Sequence, residues 1–474
     1  MSAYRPTIGL EVHAELNTET KMFCACKNDP EAESPNINVC PVCMAHPGTL
    51  PVANREAVYQ VLRVGTALGS TLADFSEFDR KSYFYPDIPK GYQISQYEHP
   101  FVSGGNLAGV EITRVHLEED TARSSHTTSE GVSLVDFNRA GVPLMELVTE
   151  PVIHDAETAG MFARELQLLL RTLGASHANL EKGEMRVEAN ISVSKTDEFG
   201  TKVEVKNLNS FRSVERAIAY EIERQSKLLD EGGVVLQETR GWDEGGQKTF
   251  SQRLKEGSAD YRYFPEPDLP KLRISEIPEF SSEALRASLP ELPWERRARY
   301  VSLGLRESDA IFLAGSHARG NFFDAVATEV GNDPALLTSA ANYLISDVAG
   351  WYTKSDKEEY EGLEASSFAS LIRLVSSGKL SSRGAKDVLA VLLEKGGDPE
   401  TIATEGGFIQ VSDEGALRAV VEAVLKEHDG VAADYRAGKE SSLQFLVGMS
   451  MKAMKGAGNP GALKDLLIEE IARG

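Results

Sequence analysis

Glu11 and His13 stand two residues apart in Ile8-Gly9-Leu10-Glu11-Val12-His13. A strand here turns both toward one face and Ile8, Leu10 and Val12 toward the other. The stretch 186–193 repeats the alternation, with Arg186, Glu188, Asn190 and Ser192 on one side and apolar residues on the other. Residues 202–206 do so again, Glu204 sharing a face with Lys202 and Lys206. A sheet with one apolar face and a floor of carboxylates, a histidine and cations could hold hard metal ions and phosphate. An amphipathic sheet whose polar face meets water gives the same alternation, so periodicity by itself leaves both readings open.

Other segments add chemistry. His116-Leu117-Glu118-Glu119-Asp120 puts three carboxylates and a histidine in five residues, and Glu146 and Glu150 stand in apolar surroundings. Lys81 to Lys90 and Asp260 to Asp268 interleave charges with Tyr, Phe and Pro. Such stretches more often wall a pocket or channel than a solvated surface. Carboxylate oxygens with an occasional imidazole suit Mg²⁺ or Mn²⁺ better than zinc. Lysines and arginines beside them would hold phosphate, the combination phosphoryl transfer needs. No Gly-x-x-x-x-Gly-Lys-Ser/Thr loop or Gly-x-Ser-x-Gly elbow is present, and Gly104 to Gly109 reads as a turn.

All four cysteines fall in one short stretch, Cys24-x-Cys26 and Cys40-x-x-Cys43. This spacing reads as a structural zinc site built from two knuckles, since four thiolates leave no open position for catalysis.

These residues need elements to position them. In the first 290 residues strand patterns dominate, with two clear helices: one opening at Asp155 with Phe162, Leu166, Leu169 and Leu173, another opening near Ser210 with Val214, Ile218 and Ile222. Beyond Pro293 the chain reads as successive helices at 309–330, 334–352, 366–377, 381–395, 413–427, 440–455 and 460–473. The expected class is α+β, a mainly antiparallel sheet domain at 1–290 followed by helical domains at 291–405 and 406–474. The 474 residues carry a net charge of −22, which excludes a general nucleic-acid coat. The tail reverses that locally with Arg436, Lys439, Lys452, Lys455 and Lys464. The run 451–460 could offer lysines and backbone N–H groups to RNA phosphate, or serve only as a helix C-cap and turn. No apolar run approaches the length of a membrane span, and a cytoplasmic protein is expected.

In this order, the segments closely resemble the B-subunit family of the glutamine/asparagine tRNA-dependent amidotransferases. The likeness runs over essentially the whole chain: 8–13, 79–96, 116–120, 135–144, 206–211, 260–269 and 448–460. The resemblance implies an N-terminal cradle like that of glutamine synthetase. It implies ATP- and Mg²⁺-dependent phosphorylation of the side-chain carboxylate of Glu on tRNA(Gln) or Asp on tRNA(Asn). Ammonia from a separate amidase (A) subunit, in a complex with a small (C) subunit, then gives the amide. Carried over by position, Glu11, His13, Glu118, Glu119, Glu188 and Glu204 would ligate Mg²⁺, with Glu11, His13, Glu118, Glu119 and Glu204 catalytic. Arg186 and Lys206 would hold ATP. Lys81, Lys90 and Asp268 would line the ammonia route, with Glu119 or its neighbour as a gate. Cys24, Cys26, Cys40 and Cys43 would hold zinc. Three positions depart from the family's usual residues: Glu188 for Asp, Arg123 for Lys, and Met449 for Gln. Two rival readings are a non-catalytic tRNA-binding scaffold and a free-standing ligase acting on glutamate.

Overall fold

The computed structural model describes residues 4–125, 132–254, 258–355, 357, 360–410, 414–454 and 458–473. Lys455 of the basic tail lies outside them, as do 456 and 457 of the run 451–460. The chain divides into two compact units, Met1–Leu292 and Pro293–Gly474.

The first unit is built on a ten-stranded sheet. Its principal strands are β1 (Arg5–Glu15), β4 (Val110–Glu119), β5 (Pro143–Thr149), β6 (Met185–Ser194), β7 (Val203–Leu208), β8 (Glu238–Asp243) and β9 (Lys248–Leu254). A hairpin of β2 (Asp79–Ser82) and β3 (Tyr92–Ser95) stands beside it. The order across the sheet runs β9-β8-β7-β6-β1-β5-β4, then two short edge strands. All these pairings are antiparallel except β7 with β8. The class is α+β, as expected.

The apolar face forms because β-alternation gathers Ile8, Leu10 and Val12 with Val187, Ala189 and Ile191, all buried. Two amphipathic helices, α2 (Ala156–Thr172) and α3 (Phe211–Asp230), cover it. Asp155 starts α2 by accepting from the Thr158 amide at 2.7 Å, and Ser210 starts α3 by accepting from Ser213 at 3.0 Å. Phe162, Leu166, Leu169, Val214 and Ile218 are fully buried, each contributing roughly 1.5–3 kcal/mol. With this face sealed, the polar face of the same strands is left for function.

Besides the short helix Ser282–Ala287, this unit holds a helix not among the two expected, α1 (Arg55–Ala67). Its Val58, Val61 and Val64 and a Gly65 in the last turn lower helix propensity. The available signal was the cap, Asn54 accepting from the Glu56 and Ala57 amides. Gly65 is required by packing: a Cβ there would lie 2.5 Å from Val102 Cγ2.

The second unit is helical throughout its described residues. The single helix expected over 309–330 is two, Glu307–Ala314 and His317–Glu329, because Ser316 caps the second. The helix expected over 334–352 contains a π-turn at Leu344–Val348. Pro399–Glu405 and Asp429–Arg436 are helices that the apolar period did not indicate. Two hydrophobic cores occur, one from Tyr300 to Ala403 and one from Leu417 to Ile471. Phe408 and Ile409 pack against the first of these, so residues just past 405 belong with it.

Candidate metal and phosphate site

Strand register assembles the polar floor. His13 of β1 pairs with Glu146 of β5 on one side and with Arg186 of β6 on the other. Glu146 in turn pairs with His116 of β4, so one row crosses four strands. In the next row on this face Glu11 faces Glu188, and one row further Asn190 faces Glu204 of β7. The floor opens into a cavity of about 650 Å³, also lined by Lys81, Lys206, Tyr261 and Tyr263.

Two groups of three ligand atoms form on this floor. His13, Glu118 and Glu146 make one; Glu11, Glu188 and Glu204 make the other. In the first, His13 Nε2 lies 3.4 Å from Glu146 and 3.8 Å from Glu118. His116 Nε2 stands 3.1 Å from the same Glu146 oxygen, and the Ser95 hydroxyl donates to Glu118 at 2.9 Å. Burial would lower both imidazoles, but the carboxylates outweigh it: His13 is raised and His116 is pushed up to about 9. Burial would raise Glu146 and Glu118, yet His116 and its neighbours hold both carboxyls down, Glu146 well below the usual range. His13 Nδ1 is buried without a hydrogen-bond partner, leaving polar capacity for a bound group.

In the second group Lys206 Nζ bonds Glu188 at 2.7 Å and lies 3.9 Å from Glu204. The Thr239 hydroxyl donates to Glu204 at 2.6 Å, and the Asn190 amide donates to Glu11 at 2.7 Å. Glu188 is long enough to reach this lysine from a neighbouring strand. Burial opposes the charge on Lys206 and Lys81, but the carboxylates around them raise both, so each is a fixed cation over the floor. Arg186 donates to the buried Asp120 at 2.9 Å, with Arg139 3.7 Å from the same carboxylate. Oxygen-rich clusters flanked by fixed cations fit Mg²⁺ bound together with a polyphosphate.

One expected ligand is elsewhere. Glu119 belongs to neither cluster, because adjacent strand residues point to opposite faces and Glu118 takes the floor. Its carboxylate pairs with Lys90 Nζ at 2.5 Å and accepts from the Ile94 amide at 3.0 Å. The expected ammonia-route residues also divide. Lys81 lines the floor cavity, whereas Lys90 and Asp268 line a second cavity of about 220 Å³ with Glu119. A third space of about 10 Å³ shares Gln93 and Asp120 with the floor cavity and Glu119 and Gly141 with the second. That is room for about one water. Glu146, His116 and Asp120, which stand in the acidic segments but receive no role from the resemblance, also line the floor. His116 and Asp120 share the alternation of Glu118.

The four cysteine sulfurs cluster as well, all within 4.8 Å of one another. Cys43 Sγ lies 3.9 Å from Cys40 Sγ and 4.0 Å from Cys26 Sγ. A tetrahedral zinc with Zn–S of about 2.3 Å needs sulfurs roughly 3.8 Å apart, so the set fits zinc. The Cys24 contact, ahead of the opposing effect of burial, pulls the Cys43 thiol down to about 5. Arg123, the departure from lysine, pairs with Glu31 of the knuckle loop. Met449 packs against the tail core. Among the described residues no helix is long and apolar enough to cross a membrane.

Comparison with known proteins adds the following. Residues 6–278 match the family described as GatB/GatE catalytic domain, and residues 321–471 match the GatB domain. A relative from Thermus thermophilus is 46% identical, covering 99% of this chain and 100% of its own length. Relatives from Geobacillus kaustophilus (45%; 99% of each chain) and Synechocystis (43%; 99% and 98%) are similar throughout. Each of the three is named as the B subunit of an aspartyl/glutamyl-tRNA(Asn/Gln) amidotransferase.

Proposed function

The chain belongs to the GatB/GatE family, and on that premise we propose that it is the activating and transamidating subunit of a tRNA-dependent amidotransferase, a ligase that forms a carbon–nitrogen bond. The substrate is Glu-tRNA(Gln), Asp-tRNA(Asn) or both. ATP is the co-substrate, and the partners are a glutaminase (A) and a small (C) subunit. The observation that carries the reading is the pairing of two three-residue ligand clusters, one of three carboxylates and one of two carboxylates with a histidine, on one strand face, with Lys206, Lys81 and Arg186 lining the same cavity.

The reaction has two steps. A side-chain carboxylate oxygen of the aminoacyl group attacks the γ-phosphorus of ATP, the bond to the β-bridging oxygen breaks, and ADP leaves. The nitrogen lone pair of ammonia then adds to the acyl carbon, the carbon–oxygen bond to phosphate breaks, and a proton is released. Phosphoryl transfer asks for positioning and charge neutralisation. Glu11, Glu188 and Glu204, and His13, Glu118 and Glu146, would hold Mg²⁺, which would supply part of that neutralisation. Lys206, Lys81 and Arg186 supply the rest as fixed cations on the phosphate oxygens. Glu188 keeps Lys206 aligned and Asp120 keeps Arg186 aligned, so little reorganisation of these two is needed when substrate arrives.

Ammonia must arrive unprotonated and out of bulk water. The second cavity, with Lys90 and Asp268, is the proposed approach. The narrow space beside Glu119 and Lys90 is the proposed gate, which gives Glu119 a role apart from the metal. The four-cysteine knuckle holds structural zinc. The tail core, with exposed Lys452 and Lys464, positions tRNA as a domain that begins beyond Ile409.

The test is reconstitution with the partner subunits, misacylated tRNA, ATP, Mg²⁺ and glutamine. Glu11→Ala and His13→Ala are expected to abolish amidation and tRNA-dependent ATP hydrolysis. Full activity of either would refute the metal floor.

A further inference from the structure

The second cavity has an unusual wall. More than half of its lining comes from residues 21–51, among them Lys21, Phe23, Cys24, Val42 and Cys43. Cys43, the one cysteine that is buried, lines both this cavity and the narrow space that shares Gln93 and Asp120 with the floor cavity. Gly141 closes the same corner with φ +85°; a Cβ there would lie 3.6 Å from Lys21 Cδ and 3.7 Å from Cys43 Cβ. The cysteine knuckle and the proposed ammonia passage are therefore adjacent structures that share a side chain.

That wall has little intrinsic rigidity. No helix or strand occurs between β1 and α1. The 24–26 limb is anchored close to the cavity: the Met22 amide donates to the Gly141 carbonyl at 2.7 Å, and Lys21 Nζ donates to the Phe137 carbonyl at 3.0 Å. The 40–46 limb is different. Its backbone bonds, Met44 to Cys40, Ala45 to Val42 and His46 to Pro41, are internal to the turn. Among the described residues it is tied down only at its flanks, the Asn38 amide donating to Asn138 Oδ1 at 2.9 Å and the Val52 amide to the Phe23 carbonyl at 3.0 Å, and it meets the 24–26 limb through sulfur, Cys43 Sγ standing 4.0 Å from Cys26 Sγ and also touching Cys24. A metal bridging the four sulfurs would replace that weak contact with bonds across both limbs.

We propose that the metal held by Cys24, Cys26, Cys40 and Cys43 seals one wall of the second cavity, so that loading of the knuckle decides whether ammonia is delivered to the floor or lost to water. The inference rests on the functional reading above. It adds to it a role for the knuckle in retaining ammonia, beyond holding a loop.

The experiment uses the reconstituted complex, stripped with a zinc-selective chelator while Mg²⁺ stays in excess. Zinc content, amidation supported by glutamine, amidation supported by ammonium chloride, and glutamate released per amide are measured together. Hydrogen exchange over 40–46 and 141–143 gives a readout independent of turnover. Zinc loss should lower the glutamine-supported rate at least about fivefold relative to the ammonium-supported rate, as expected when a sheltered reactant leaks to solvent. Glutamate per amide should rise, exchange over both segments should quicken, and added zinc should restore all three. An unchanged ratio after zinc loss overturns the proposal. So does an equal fall of both rates, since the metal would then serve only the fold. Failure of the untreated complex to amidate with ammonium would instead refute the catalytic reading, and the sealing role with it.

Discussion

His13 and Glu146 face each other from neighbouring strands with Nε2 and Oε2 3.4 Å apart, and the same carboxylate oxygen lies 3.1 Å from His116. One buried carboxylate thus orients two imidazoles. Glu146→Gln keeps the size and removes the charge. It should lower amidation and tRNA-dependent ATP hydrolysis by roughly 10²–10³-fold, the scale of losing one preorganised electrostatic group. Binding of misacylated tRNA, measured by filter retention, should not change. Wild-type turnover would remove Glu146 from the site.

Lys206 bridges Glu188 and Glu204, and its substitution reads out phosphate binding. Lys206→Met should raise the KM for ATP by roughly 10–100-fold, the cost of one or two charge-assisted hydrogen bonds. Steady-state kinetics over a range of ATP concentration decides it, and an unaltered KM counts against a phosphate contact.

Asp120 is a buried anion shared by Arg186 and Arg139. Asp120→Asn leaves two guanidinium groups without their partner. Because Arg186 is a third exposed, the loss should fall at the low end for a broken buried pair, about 3 kcal/mol. Chemical denaturation of the chain measures it. Asp197→Asn, at an exposed pair with Arg5, should leave stability unchanged and serves as the control.

Glu119 is predicted to gate ammonia. Glu119→Gln breaks the pair with Lys90 while keeping the side-chain volume. Glutamine-supported amidation should fall about tenfold further than ammonium-supported amidation, since the defect lies in delivery across a dry passage. Equal effects on both would return Glu119 to the chemistry of the floor.

For the tail, Lys452 and Lys464 are exposed and make no ion pair among the described residues. Lys439, by contrast, is tied to Asp434, and Arg436 donates to the Ile471 carbonyl. Replacing Lys452 and Lys464 with Ala should weaken tRNA binding and reduce the slope of log K against log salt by roughly one to two. Affinity titrations at several salt concentrations test this, and an unaltered slope would move the RNA contact elsewhere.

Local pattern determined a good deal by itself. Period-two alternation in β1, β6 and β7 already put Glu11, His13, Glu188 and Glu204 on one face, and the spacing of the four cysteines implied a tetrahedral site. These are short-range properties, set by the pleat of a strand and the reach of a knuckle. Alternation also separated Glu118 from Glu119, although the family resemblance grouped them as ligands. What alternation could not say is which residue on one strand meets which on the next. Register depends on pairing between segments far apart in the chain, and a slip of one residue would carry every side chain to the opposite face. Only the fold placed Glu146 and His116 beside His13, and sent Lys81 to the floor while Lys90 and Asp268 went to the second cavity. It also set Cys43 against the passage, because that contact joins a loop without secondary structure to a turn more than ninety residues later.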